Sequence, residues 1–290
     1  MQKVLLTGAS GFVGGAVLRR LVADGAEVVT LGRTAQAPVS GVVHHRLDLL
    51  EADRATLREL MEEVACNRLI HAAWYTDHAD YLIADINRAW VHGSTRLFQA
   101  FREVGPGRLV GLGSCVEYEG GRCTEGKTPL RPNTLYGACK KALSDTLLAM
   151  PDTSWARVFF VYGPGDRAGR LVPHLIEQAK AGQSVSVRYG GLRRDYIHID
   201  DLAAQIVALA GSDLTGAVNT GTGRAVRLSD IAGAVTEAAG RPELAEPNDR
   251  IDAAQPLIIE ADMARYRAAI GPVSVRSLAQ GLQPLFGSVA

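Results

Sequence analysis

The chain has 290 residues, 47% of them hydrophobic, enough to bury a substantial core in one large or two unequal domains. Basic and acidic residues balance at 31 each, so a formal charge of zero gives no electrostatic reason to expect nucleic acid or an anionic membrane as partner. Four cysteines without metal-ligand spacing and seven histidines without an HExxH arrangement argue against a disulfide scaffold and point to no metal.

Residues 4–6 are a short apolar run that reads as a buried parallel strand, and residues 12–22 carry apolar side chains at helical spacing. Between them Gly8, Gly11 and Gly14 follow a Gly-x-x-Gly-x-x-Gly spacing, with two residues in the first gap where the usual dinucleotide fingerprint has one. At a strand-to-helix turn Gly8 permits the tight turn, Gly11 lets the backbone approach a pyrophosphate, and Gly14 lets the helix pack closely on the sheet. Phe12 and Val13 then offer the unpaired N–H groups and positive dipole end of a helix start, which stabilise the anion. The first strand begins within three residues of Met1, leaving no room for a signal peptide, and no apolar run approaches the length of a membrane span. A soluble cytoplasmic protein is expected.

Residues 27–31 form a second strand ending at Gly32-Arg33. An acidic residue there would bind an adenosine ribose 2′-hydroxyl; glycine followed by arginine leaves space and a cation for a 2′-phosphate. NADP(H) is therefore favoured, with NAD(H) the alternative if Arg33 is an ordinary solvated loop residue. Residues 42–47 form a third strand closed by Asp48-Leu49, with Asp48 placed to reach the adenine amino group, and residues 53–66 a helix. A fourth strand, residues 69–73, ends in His71-Ala72-Ala73-Trp74, where Ala72 and Ala73 let a cofactor lie close over the sheet. The long helix at residues 85–101 carries more apolar surface than one sheet needs, so a homodimer through it and the helix at 136–150 is expected. Residues 108–113 form the fifth strand.

This alternation is the pattern of an α/β fold, a doubly wound parallel Rossmann sheet, with a smaller mixed α/β C-terminal region for substrate. The expected division is 1–165 and 166–290, jointed at Gly163-Pro164-Gly165, with residues near 195–222 returning to complete the sheet. Residues 207–209 and 218–220 and a helix at 229–239 are the clearest later elements.

The chemistry concentrates after the fifth strand. Ser114 sits at its carboxyl end, where such sheets bind ligands, and Tyr136 and Lys140 are i and i+4 on one helical face. At that separation the ammonium is expected to lower the phenol's pKa from ~10 and make it a usable proton carrier, with Ser114 orienting the substrate oxygen.

These residues resemble the extended short-chain dehydrogenase/reductases that act on nucleotide sugars. The resemblance extends over Asn87, Arg157-Val158-Phe159-Phe160-Val161-Tyr162-Gly163-Pro164, Arg194-Asp195-Tyr196-Ile197-His198-Ile199-Asp200-Asp201 and Asn219-Thr220-Gly221-Thr222-Gly223. It implies that Tyr136 donates or accepts the proton, that Lys140 holds the cofactor ribose and tunes Tyr136, and that Ser114 binds the reacting oxygen. Further cofactor contacts are implied at Phe159 and Val161. Substrate contacts are implied at Cys115, Phe160 and Arg194, whose planar guanidinium suits a diphosphate, with Arg250 a second phosphate clamp. The alternative for Arg194 is an ion pair with Asp195. Asp200 fits a helix N-cap, and His198 a packed structural histidine.

Departures from the family pattern narrow the reaction. Nucleotide-sugar 4,6-dehydratases carry Asp-Glu directly after the catalytic hydroxyl residue, and here Cys115 and Val116 stand there, which argues against dehydration. Epimerising reductases place a cysteine two residues beyond the serine, where this chain has Val116. The expected reaction is NADPH-dependent reduction of a nucleotide-linked 4-keto-6-deoxysugar; a redox-neutral 4-epimerase is the alternative, weakened by Phe160 where many epimerases have asparagine. A noncatalytic NADP(H) sensor would typically have lost the Ser/Tyr/Lys set.

Overall fold

The computed structural model describes residues 3–34, 39–272 and 274–287. In chain order its elements begin with β1 (Lys3–Thr7), α1 (Phe12–Ala23), β2 (Glu27–Gly32), β3 (Val42–Arg46), α2 (Arg54–Val64), β4 (Arg68–His71), α3 (Ile86–Val104) and β5 (Arg108–Ser114). A 3-10 turn (Cys115–Glu117) leads to β6 (Gly121–Cys123), α4 (Leu135–Leu148), β7 (Thr153–Val158), β8 (Phe160–Tyr162), α5 (Leu171–Lys180), β9 (Arg193–Arg194) and β10 (Tyr196–His198). The chain ends through α6 (Ile199–Gly211), β11 (Gly216–Thr220), β12 (Val226–Arg227), α7 (Leu228–Ala238), β13 (Ile258–Ala261), α8 (Ala264–Ile270) and α9 (Leu278–Leu282).

These elements form two compact units, one of Met1–Glu117, Leu130–Arg157 and Ala203–Val218, the other of Tyr118–Pro129, Val158–Leu202 and Asn219–Ala290. The first is built on a seven-stranded sheet of order β3-β2-β1-β4-β5-β7-β11, as expected of a doubly wound fold. β1 pairs in parallel with both β2 and β4, so the order reverses between β1 and β4 and opens a crevice at their carboxyl ends. Leu5, Leu6, Leu69, Ile70, Leu109 and Val110 are wholly buried, which is why these strands read as unbroken apolar runs rather than alternating ones.

The helices of this unit start and stop on local signals. Asp53 caps α2 by accepting from Thr56 N at 2.8 Å, and Ala65 ends it in the left-handed conformation. Trp90, Leu97, Phe98 and Phe101 of α3 are buried in one core with Leu57 and Met61 of α2 and Leu143 and Leu147 of α4. The apolar surplus on α3 that prompted the expectation of a partner subunit is thus covered within this unit.

In the second unit, a four-stranded sheet of order β12-β9-β13-β6 and a pair, β8 with β10, surround a core that includes Tyr162, Leu175, Ile231, Val235 and Leu282. The boundary falls at Arg157 rather than at Gly163-Pro164-Gly165, because β8 pairs with β10 and not with the large sheet. Residues 118–129 belong here because β6 pairs with β13, and of residues 195–222 only Ala203–Val218 joins the first unit. Asp200 lies inside the first turn of α6 instead of capping it, and its carboxylate accepts from Arg276 Nη1 at 3.1 Å. His198 is buried and hydrogen-bonded to Arg276. Among the described residues no helix is long and apolar enough to cross a membrane, and no His/Cys/Asp/Glu group could hold a metal ion.

Candidate active site

The glycine turn forms a cradle at the β1–β4 crevice. Gly8 has φ +75°, and a Cβ on it would lie 2.6 Å from Ala73 N; a Cβ on Gly14 would lie 2.1 Å from Gly8 O. Both positions therefore admit only glycine, one by conformation and contact, the other by contact. Gly11 caps α1 without a side-chain hydrogen bond, and the first turn, opened by Phe12 and Val13, carries no acidic residue. This arrangement, with Ala72 and Ala73 beside it, fits a dinucleotide pyrophosphate.

Further out, the exposed Arg33 guanidinium stands 3.9 Å from the Asp48 carboxylate, and Arg46 Nε donates to Arg33 O at 3.0 Å. Asp48 also accepts from Leu50 N at 2.9 Å, a local turn that shapes the end of β3. Leu49 is buried, and its carbonyl accepts from Arg96.

Tyr136 and Ser114 meet because α4 starts close under the turn that follows β5. Thr134 caps α4 by accepting from Gly137 N at 3.1 Å, and a Cβ on Gly137 would come within 2.9 Å of Val116 O. The Ser114 hydroxyl hydrogen-bonds the half-buried Tyr136 phenol, whose ring also meets Tyr81 edge-on at 5.2 Å. Burial first, then Tyr81, pushes the phenol above its ordinary value, with Ser114 acting the other way. Lys140, expected to lower it, lies 5.9 Å from the phenol ring centroid and is not among the main influences on it. Its Nζ donates to Leu112 O at 2.8 Å and sits 3.8 Å from the centroid of the Trp74 ring, and burial lowers it to about 7, opposed by the Glu117 carboxylate.

Glu117 itself was not anticipated as a site residue. It is wholly buried and accepts from Ser114 N at 2.8 Å, Trp155 Nε1 at 2.9 Å and Arg157 Nε at 2.8 Å. It thus anchors the backbone of Ser114 to β7 through a buried ion pair. The only sequence signal is its place three residues after Ser114. Cys115, between them, is buried.

The remaining predicted residues lie in the second unit. Phe159 and Val161 are buried, Phe160 stacks on Tyr196 at 5.4 Å, and Arg250 is exposed. Arg194 is buried and donates to Arg193 O at 2.8 Å, Pro256 O at 3.0 Å and Gln255 Oε1 at 3.2 Å, with its guanidinium 5.9 Å over the Phe160 ring. The Asp195 carboxylate accepts from Thr222 N and Oγ1, Gly223 N and Ala261 N.

The NAD dependent epimerase/dehydratase family profile matches residues 4–221. The chain belongs to that family. It is an NAD(P)-dependent oxidoreductase of the extended short-chain dehydrogenase/reductase type, as the sequence indicated. It is similar to dTDP-4-dehydro-6-deoxy-D-allose reductase of a Streptomyces species, 27% identical with 88% of this chain and 86% of the relative covered. It is 30% identical to dTDP-glucose 4,6-dehydratase of Streptomyces griseus over 82% of this chain and 78% of that one. Among solved structures, an NAD-dependent NDP-hexosamine 5,6-dehydratase of tunicamycin biosynthesis superposes with a TM-score of 0.80 at 25% identity, covering 98% of this chain and 96% of its own.

Proposed function

We propose that this protein reduces the 4-keto group of a nucleotide-linked 4-keto-6-deoxysugar with NADPH. The observation that carries this reading is the state of the groups following β5. Dehydration needs a free acid and base beside the hydroxyl residue. Here positions 115 and 116 hold a thiol and an isopropyl group, and the nearby carboxylate of Glu117 has both oxygens occupied by Trp155 and Arg157. What is left at the site is a hydroxyl, a phenol and an ammonium, a set suited to moving one proton on one oxygen.

The glycine cradle and α1 would hold the pyrophosphate, and Arg33 the 2′-phosphate. When bound, the reduced nicotinamide supplies hydride to a carbonyl carbon. Tyr136 Oη gives its proton to the carbonyl oxygen, and Ser114 Oγ donates a hydrogen bond to the same oxygen. The raised phenol keeps its proton at neutral pH, which is the form a donor needs. Arg194 and Arg250, with Cys115 and Phe160, are the proposed substrate contacts, and Phe159 and Val161 further cofactor contacts.

The test is a panel of freshly generated nucleotide-linked 4-keto-6-deoxyhexoses with NADPH or NADH, followed by loss of the reduced-nicotinamide absorbance. Stoichiometric oxidation is expected, with Arg33→Ser narrowing the preference for NADPH, and Tyr136→Phe losing ~10²–10⁴-fold in turnover while binding cofactor. Interconversion of a nucleotide hexose with its 4-epimer, with no NADPH consumed, would replace this reading by the epimerase.

A further inference from the structure

We propose that Trp74 is the positioning residue for Lys140, its indole face carrying the ammonium in charged form beside Tyr136. The significance for turnover rests on the Ser/Tyr/Lys reading above; the contact itself does not.

Small residues are expected where β4 meets the crevice, and Ala72 and Ala73 meet that expectation. The next residue is a tryptophan. Lys140 is 4% exposed, and one carbonyl, Leu112 O, accepts from its Nζ. An ammonium carries its charge on three N–H donors, and keeping that charge in a buried position is costly without attracting neighbours. The Trp74 ring supplies the second face, 3.8 Å from Nζ to centroid, while Tyr136 and Trp155 lie farther away at 5.9 and 5.8 Å. A cation at that distance over an indole is held by the ring quadrupole, more strongly when water is excluded.

The plate is fixed in place. Trp74 Nε1 donates to Asn87 Oδ1 at 2.7 Å, and Asn87 Nδ2 donates to Tyr81 O and Ala84 O at 2.7 and 2.8 Å. The indole stacks on Trp90 with centroids 6.0 Å apart and planes 30° from parallel, and its edge meets Tyr136 at 6.3 Å. Trp74 thereby touches both members of the Tyr/Lys pair and ties them to the buried Asn87 of α3.

Around Lys140 the charged and titratable groups are Glu117 from the turn after β5, His71 from β4 and Tyr136 on α4 itself. Burial holds His71 down to about 3, so it is neutral, and Glu117 is the attracting charge. Lys140, at about 7, titrates where a drop of about one unit changes the charged fraction at neutral pH from about a half to about a tenth.

The chain has five lysines, so ¹³Cε/¹⁵Nζ-lysine NMR resolves Lys140, assigned by Lys140→Arg. Trp74→Phe, which keeps a π-face, is expected to leave the Lys140 titration within a few tenths of a unit. Trp74→Leu is expected to lower it by about one unit, and to move the matching limb of the kcat profile with KM held, while the lost hydrogen bond to buried Asn87 lowers the urea midpoint in the Phe and Leu variants alike. If Trp74→Leu does not fold, Trp74→Met gives the same comparison of apolar bulk without a π-face. Equal titration in wild type and Leu or Met variant, or equal shifts in Phe and Leu or Met variants, overturns the proposal. A shift in the spectrum with no turnover on any keto sugar leaves Trp74 in this role and rejects the reductase.

Discussion

Glu117→Gln is the most informative single change at the buried core of the site. The substitution keeps shape and one acceptor, but removes the charge that faces Arg157, whose side chain is 4% exposed. Breaking one side of a buried pair costs about 3–5 kcal/mol, because the surviving charge stays in a medium that does not solvate it. The amide NH₂ also points a donor at Trp155 Nε1 or Ser114 N, both of which need an acceptor. Urea unfolding should therefore show a lower midpoint with an unchanged slope, and Lys140, having lost its attracting carboxylate, should titrate lower still. The double variant Glu117→Gln/Arg157→Leu should recover part of the stability, since no guanidinium is then left buried without its counter-charge. A loss below about 1 kcal/mol in Glu117→Gln would refute the reasoning, for it would mean that the pair is not desolvated.

Gly14→Ala drives a methyl into Gly8 O and should cost about 1–3 kcal/mol and weaken nicotinamide-nucleotide binding, read by cofactor fluorescence; unchanged binding would show that the cradle is not used. His71 sits between Thr7 Oγ1 and Ser94 Oγ at 2.8 Å each and is held down to about 3, below its unfolded value of 6.5. Its contribution to stability is present above pH ~6.5 and falls as pH drops towards ~3, by up to about 1.4 kcal/mol per unit, a slope that His71→Asn should remove from urea midpoints measured across that range. Asp195→Asn turns an NH₂ towards backbone donors of Thr222, Gly223 or Ala261 and should destabilise by about 2–5 kcal/mol in calorimetry or urea.

The parts legible in the sequence were those carried by neighbouring residues. The cradle is a spacing of three glycines between one strand and one helix, and Tyr136 and Lys140 are one helical turn apart, so both follow from local geometry. Ser114 was legible because a strand end in such a sheet is a ligand position. Glu117 and Arg157, 40 residues apart, meet only because β5 and β7 are neighbours in the sheet, and nothing local marks the pair. The phenol's upward shift escaped for the same reason: it depends on Tyr81 and on burial, whereas the i, i+4 spacing suggested Lys140 as the dominant neighbour. The unit boundary was displaced because β8 pairs with β10, which follows it by more than 30 residues of chain.

The first unit takes its last segment, Ala203–Val218, from the far side of 45 residues that belong to the second, Val158–Leu202. On the ribosome, β7 therefore emerges well before β11, its neighbour at the rim of the sheet. Until residue 218 has cleared the exit tunnel, β7 is an open edge bearing the otherwise buried Trp155, ready to pair with any extended chain. A fragment cut at the Gly163-Pro164-Gly165 turn would carry the whole glycine cradle and the Ser/Tyr/Lys set and still keep that edge open. Such a fragment should aggregate during synthesis, and the second unit should be recovered only from the intact chain.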